Sequence, residues 1–144
     1  MVGLYTIVLI HLYIYHPGAA HDRMAQLEAY SNRYGKKLWL TEFALKKTKN
    51  ETEVVEFIRE ILPMLECADF IERYSWWYSR YYDDKDQESS WNQWFWISHA
   101  NSLLDVSGSS SALTAAGQAY DFPYHLKPCA KTSGWFNGTD YGNH

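Results

Sequence analysis

Glu42 is the residue of this sequence best placed to do chemistry. It closes an apolar, aromatic run, Lys37-Leu38-Trp39-Leu40-Thr41-Glu42-Phe43-Ala44, between Gly35 and the polar stretch Lys46-Lys47-Thr48-Lys49-Asn50. Such a run reads as a short strand. Simple alternation places Leu38, Leu40 and Glu42 on one face, and Trp39, Thr41 and Phe43 on the other. A carboxylate at the C-terminal tip of a strand, before a polar loop and a helix, is how a (β/α)8 barrel presents a catalytic acid. The plainer alternative is a solvated strand-end acid, and spacing by itself leaves both open.

The elements that must hold Glu42 follow from periodicity. A first strand spans about Tyr5 to Tyr15, rich in β-branched and aromatic residues and stopped by Pro17-Gly18. Its nearly continuous apolarity suits a parallel strand covered on both sides. A secretory signal core is the competing reading of Leu4 to Tyr15, but no Lys or Arg precedes it, and His11 and three tyrosines interrupt it. The segment is also too short to span a bilayer. A helix follows over about His21 to Tyr34, with Met24, Leu27, Tyr30 and Tyr34 on its buried stripe and Gly35 as its stop.

After the Glu42 strand, Asn50 caps a second helix, with Glu53 placed to complete a capping box. Val54, Phe57, Ile58, Ile61, Leu62 and Leu65 form its buried face. A third strand runs from about Phe70 to Tyr78, and a short helix over Ala112 to Tyr120 turns Leu113, Ala116 and Tyr120 inward. Between them, Arg80 to Ala100 is a long loop, first acidic and then aromatic with Trp91, Trp94 and Trp96. Residues 121–144 form an irregular, turn-rich tail after a unit of residues 1–120. The order β-α-β-α-β-loop-α predicts an α/β fold with a parallel sheet and right-handed crossovers. Three strands cannot close a barrel, so they form a small open layer or part of a larger one.

Bulk properties narrow the function. The 144 residues suit one domain, and 47% hydrophobic against 21% charged residues argues for a folded chain. A net charge of −4 lacks the basic footprint of a nucleic-acid partner. Lys46, Lys47 and Lys49 read as a solvated turn. Aromatics make up 17% of the chain, which suits a large aromatic core or a sugar-stacking cleft. Cys67 and Cys129 allow one disulfide or two buried thiols, and no Cys/His spacing suggests a metal. Asn50-Glu51-Thr52 and Asn137-Gly138-Thr139 are glycosylation sequons, usable if the chain is secreted.

Four ordered blocks carry a family resemblance. Tyr34 to Ala44 resembles the penultimate barrel strand of glycoside hydrolase family 128, the β-1,3-glucanases with a glycosyl hydrolase catalytic core. Ile10-His11-Leu12-Tyr13 resembles the strand before it, usually His-Trp-Tyr. Ile71-Glu72-Arg73-Tyr74-Ser75-Trp76-Trp77 resembles the last strand. Asn101-Ser102-Leu103-Leu104-Asp105, with Leu113 to Tyr120, resembles the closing segment.

The resemblance implies the last three strand–helix units of a partial (β/α)8 TIM barrel, with Glu42 matching the catalytic nucleophile. The acid/base glutamate would lie on a strand upstream of this chain. Tyr13 matches a position facing the nucleophile, where a phenol can hydrogen-bond a carboxylate, with His11 two residues deeper. Trp76 or Trp77 would line the sugar subsite, Trp77 by the better motif match, the alternative for either being core packing. Leu12 stands where the family usually has Trp, which removes one stacking contact. Trp91, Trp94 and Trp96 either floor a longer groove or cover a sheet edge.

The resemblance further implies a β-glucan polysaccharide partner, no cofactor, and an extracellular or cell-wall setting. An isolated fragment is expected to be inactive, and to self-associate through open barrel edges. The competing readings are a non-catalytic carbohydrate-binding remnant and a small α/β interaction module.

Overall fold

The computed structural model describes residues 6–81, 97–105, 107, 111–123 and 129. The expectations for Trp91, Trp94 and Trp96, and for nearly all of the tail, lie outside the described residues. Strand β1 spans Val8–Ile14, helix α1 Ala20–Tyr34, strand β2 Leu38–Leu45, helix α2 Glu51–Cys67, strand β3 Ile71–Trp76 and helix α3 Ala115–Tyr120. The strands form a three-stranded sheet in the order β1-β2-β3, both pairs parallel. The α/β class and parallel order are those expected from the alternation of strand and helix patterns.

The core lies between one face of the sheet and the helices. Leu12 and Ile14 of β1, and Leu38, Leu40, Phe43 and Leu45 of β2, are buried with Met24 and Leu27 of α1. The buried face of α2 is the predicted one, Val54 through Leu65. The opposite sheet face is open. Leu9 is 62% exposed and His11 is exposed, so β1 alternates instead of being covered on both sides.

Several local expectations change. In α1 the buried residues are Ala20, Met24, Leu27 and Ser31, whereas Tyr30 and Tyr34 are exposed. Ser31 takes the inward place because its hydroxyl donates to the Lys36 carbonyl and closes the helix end. Gly35 follows with φ +60°, the left-handed stop expected of it. Asn50 caps α2 by accepting from the Thr52 amide, but the capping box does not form. Thr48 intervenes: its hydroxyl donates to Glu53 and accepts the Asn50 amide. Leu113 is exposed instead of inward, because Thr114 caps α3 and the helix begins only at Ala115.

Cys67, the last residue of α2, is disulfide-bonded to Cys129 across 62 residues of sequence. Closing a loop of that length stabilises by about 4 kcal/mol in the chain-entropy model. Reduction, or Cys67→Ser, is therefore expected to lower the melting temperature by several degrees. Equal melts with and without reductant would show that the bridge carries no stability.

Candidate functional site

A bulge decides where Glu42 points. Ile10 pairs with Leu40, but the next residue, His11, pairs with Glu42, so Thr41 is the extra residue of β2. β3 shows the same displacement, with Leu40 opposite Tyr74 and Phe43 opposite Trp76. An inserted residue reverses the alternation beyond it. Leu38 and Leu40 therefore share the helix-facing side with Phe43, not with Glu42. Glu42 joins Trp39, His11 and Tyr13 on the open face. This corrects the simple period-two assignment, and it covers Leu38 and Leu40, which a bare barrel wall would have left exposed.

Two side chains of β1 converge on Glu42. The Tyr13 hydroxyl donates to Oε2 in a short hydrogen bond, and His11 Nδ1 lies 3.2 Å from the same oxygen. The carboxylate is about one-fifth exposed (21%), against 55% for the imidazole. Burial, and then the hydrogen bond to Glu42, push the Tyr13 phenol far above the usual tyrosine range. Lys46 completes this end of the sheet. It is buried, and its ammonium sits 4.1 Å from the Tyr15 ring centroid and 5.9 Å from that of Tyr13. Sequence reading placed Lys46 in a solvated turn. The available signal was the pair of tyrosines two apart on β1, whose rings can house an ammonium.

The two tryptophans part company. Trp77 is half-buried and meets the ring of Tyr13, the residue that donates to Glu42, edge-on at 6.5 Å. Trp76 belongs to the core and cannot line a subsite on the Glu42 face. Its ring packs on Phe43 at 5.0 Å and on Phe57 of α2 at 6.3 Å, and its indole N–H donates to the Asn101 carbonyl at 2.8 Å. Asn101 in turn donates from Nδ2 to the Leu45 carbonyl. The Asn101 segment thus clamps the ends of β2 and β3 from the core side. Among the described residues no cluster of three or more His, Cys, Asp or Glu could hold a metal ion, and no helix is long and apolar enough to cross a membrane.

The Tyr13 environment predicts an alkaline behaviour. In the unfolded chain Tyr13 ionises near pH ~10, while the folded chain keeps its proton well beyond that. Above about pH 10 the unfolded state therefore binds fewer protons, and the stability this group contributes falls as pH rises. In a phenolate absorbance titration, Tyr13→Phe is expected to leave the number of tyrosines ionising near pH ~10 to 11 unchanged. Loss of one such tyrosine would show that Tyr13 is not held protonated.

Glu42 thus stands in the C-terminal half of a central parallel strand, three residues before its end and not at its tip as expected, with a phenol donating to it and an imidazole beside it on the open face of an α/β sheet. The family model of the glycosyl hydrolase catalytic core matches residues 5–120, and the chain belongs to that family. Twelve solved chains match it. A family 128, subgroup II, endo-β-1,3-glucanase of Sorangium cellulosum is 30% identical with a TM-score of 0.56, over 78% of this chain and 38% of the other. A subgroup I endo-β-1,3-glucanase of Amycolatopsis mediterranei, solved with laminaritriose and laminaribiose, is 22% identical with a TM-score of 0.59, over 79% and 43%. A subgroup VII oligosaccharide-binding protein of Cryptococcus neoformans is 22% identical with a TM-score of 0.52, over 78% and 39%. The chain thus spans about two-fifths of the solved proteins it matches. No curated protein sequence matches it. Family membership over residues 5–120 removes the reading of an accidental resemblance.

Proposed function

We propose that this chain is the C-terminal part of a retaining glycoside hydrolase acting on β-1,3-glucan, with Glu42 as its nucleophile. The carrying observation is the convergence of Tyr13 and His11 on Oε2 of a carboxylate in the C-terminal half of the middle strand. The Tyr13 hydroxyl donates to one oxygen and the His11 ring stands against the same atom, which orients the carboxylate for attack by the other. β1, β2 and β3 are then the last three strands of a (β/α)8 barrel, residues 1–120 the barrel part and residues 121–144 a tail. The general acid belongs to an upstream strand, about 5–5.5 Å across the scissile bond in a retaining enzyme. Such an enzyme acts on extracellular or cell-wall glucan.

A fluoride leaving group needs no acid, so it isolates the nucleophile's step. Incubation with 2-deoxy-2-fluoro-laminaribiosyl fluoride is expected to add one glycosyl mass to the chain, mapped to Glu42 and absent in Glu42→Gln. No adduct, together with retained laminari-oligosaccharide binding, would favour a non-catalytic carbohydrate-binding remnant. The oligosaccharide-binding relative from Cryptococcus neoformans is the observation on that side.

The same reading predicts association. Among the described residues β1 and β3 each pair on one side only, and unpaired strand edges template further pairing. Light scattering at low micromolar concentration is expected to show oligomers, with ANS bound at the open face. A monodisperse monomer with no ANS signal and a cooperative melt would remove the partial-barrel reading.

A further inference from the structure

Where the loop after β2 enters α2, the chain holds Asn50-Glu51-Thr52, a triplet that the Glu42 site does not use. An asparagine two residues before a threonine, with no proline between them, accepts N-linked glycan when it lies on the surface. Lys49, Asn50, Glu51 and Thr52 are all exposed. Asn50 has an extended backbone, φ −88° and ψ 107°, and its Oδ1 accepts the Thr52 amide at 3.0 Å. That bond closes an Asx turn and caps α2. It occupies only the oxygen of the carboxamide. Among the described residues Nδ2 donates to nothing.

The turn beneath that nitrogen is anchored. The Thr48 hydroxyl accepts the Asn50 amide and donates to Glu53, while the Thr48 carbonyl accepts the Ser98 hydroxyl. Thr48 and Ser98 are buried. A bulky group on Nδ2 therefore extends into solvent with no buried atom displaced. A second observation concerns the compartment. Cys67 and Cys129 are bridged, and such bonds form and persist in oxidising compartments, the setting in which secreted chains receive N-linked glycan.

We propose that Asn50 is an N-glycosylation site, its nitrogen left free by the cap that its oxygen makes to α2. The donor class is an oligosaccharide carried on a lipid pyrophosphate. Nδ2 forms the new bond to C1 of the first sugar, and the bond from C1 to the phosphate oxygen breaks. The pyrophosphate leaves with the electron pair, and the amide proton passes to a base of the transferase. Nothing is oxidised or reduced. Oδ1 is not consumed, so the bond from the Thr52 amide survives the modification. The other sequon, Asn137-Gly138-Thr139, lies outside the described residues. The inference does not depend on the glucan reading.

Expression of the 144-residue chain in yeast behind a cleaved secretion leader tests this, with Asn137→Gln present so that a single sequon remains. Peptide mass spectrometry is expected to find glycan on Asn50, and peptide N-glycosidase to leave aspartate in its place. Thr52→Ala is expected to abolish the modification completely. That variant keeps the backbone amide that Asn50 accepts, so it is expected to melt together with the glycosylated chain. Non-reducing peptide mapping is expected to show the Cys67–Cys129 bridge in the glycosylated chain. Unmodified Asn50 in bridged chain, recovered from the medium or from the secretory lumen, overturns the site. Glycan found only on chain that lacks the bridge also overturns it, because the fold then excludes the modification. A glycosylated chain that melts below Thr52→Ala overturns the coexistence of cap and glycan.

Discussion

Incubated with laminarin, the 144-residue chain is expected to release sugar at the uncatalysed rate, with no measurable change in Glu42→Gln. A retaining mechanism needs two carboxyls, one to attack and one to protonate the leaving oxygen. Losing the acid alone costs on the order of 10²- to 10⁴-fold. Glu72, the neighbouring acid of β3, is engaged by the Trp39 indole N–H at 3.1 Å, toward the start of β2 instead of at the Glu42 end. A natural glucan has a poor leaving group, so the nucleophile by itself achieves little. Turnover that is present in the wild type and abolished by Glu42→Gln would show a complete catalytic site within this chain. The proposal of an upstream acid would then have to be given up.

Trp76→Ala and Gly117→Ala are both expected to destabilise the described fold. Trp76 is buried among Phe43, Phe57 and Tyr120, and its removal leaves both a cavity and an unpaired Asn101 carbonyl. A loss of about 3–5 kcal/mol follows for such an aromatic. Gly117 acts by the opposite cause. A Cβ there would fall well inside contact distance of the Leu103 carbonyl oxygen, a backbone atom that cannot swing away as a rotamer would. The Leu103 carbonyl also accepts the Thr114 amide, so α3 cannot back off without losing that bond. Overpacking of this kind costs about 1–3 kcal/mol, and more where backbone must move. Urea melts of both variants check this. A Gly117→Ala midpoint equal to the wild type would show that α3 docks more loosely than described.

The bulge shows where sequence reasoning stops. Glu42, Tyr13 and His11 were legible as a set from residue type and motif, and they do share one face. Leu38 and Leu40 were wrongly given the same face as Glu42, because period-two counting assumes an unbroken ladder and Thr41 breaks it. The cap at Asn50 was legible from local hydrogen-bonding chemistry. The failure of its capping box was not, because Thr48 competes for both groups through a fold-back of the preceding loop.

By itself, the sequence determined the alternation of strands and helices, the buried stripe of α2, the left-handed stop at Gly35, and Glu42 as the acid to watch. These depend on neighbours within a turn or two, where side-chain period and backbone propensity decide. Only the tertiary structure decided that Trp76 faces the core while Trp77 meets the Tyr13 ring, and that Lys46 is buried against tyrosine rings. It also decided that Cys67 bridges to Cys129, and that Gly117 must lack a side chain. Each of these depends on an atom tens of residues away, whose position is set by how the strands register and how the helices close over them.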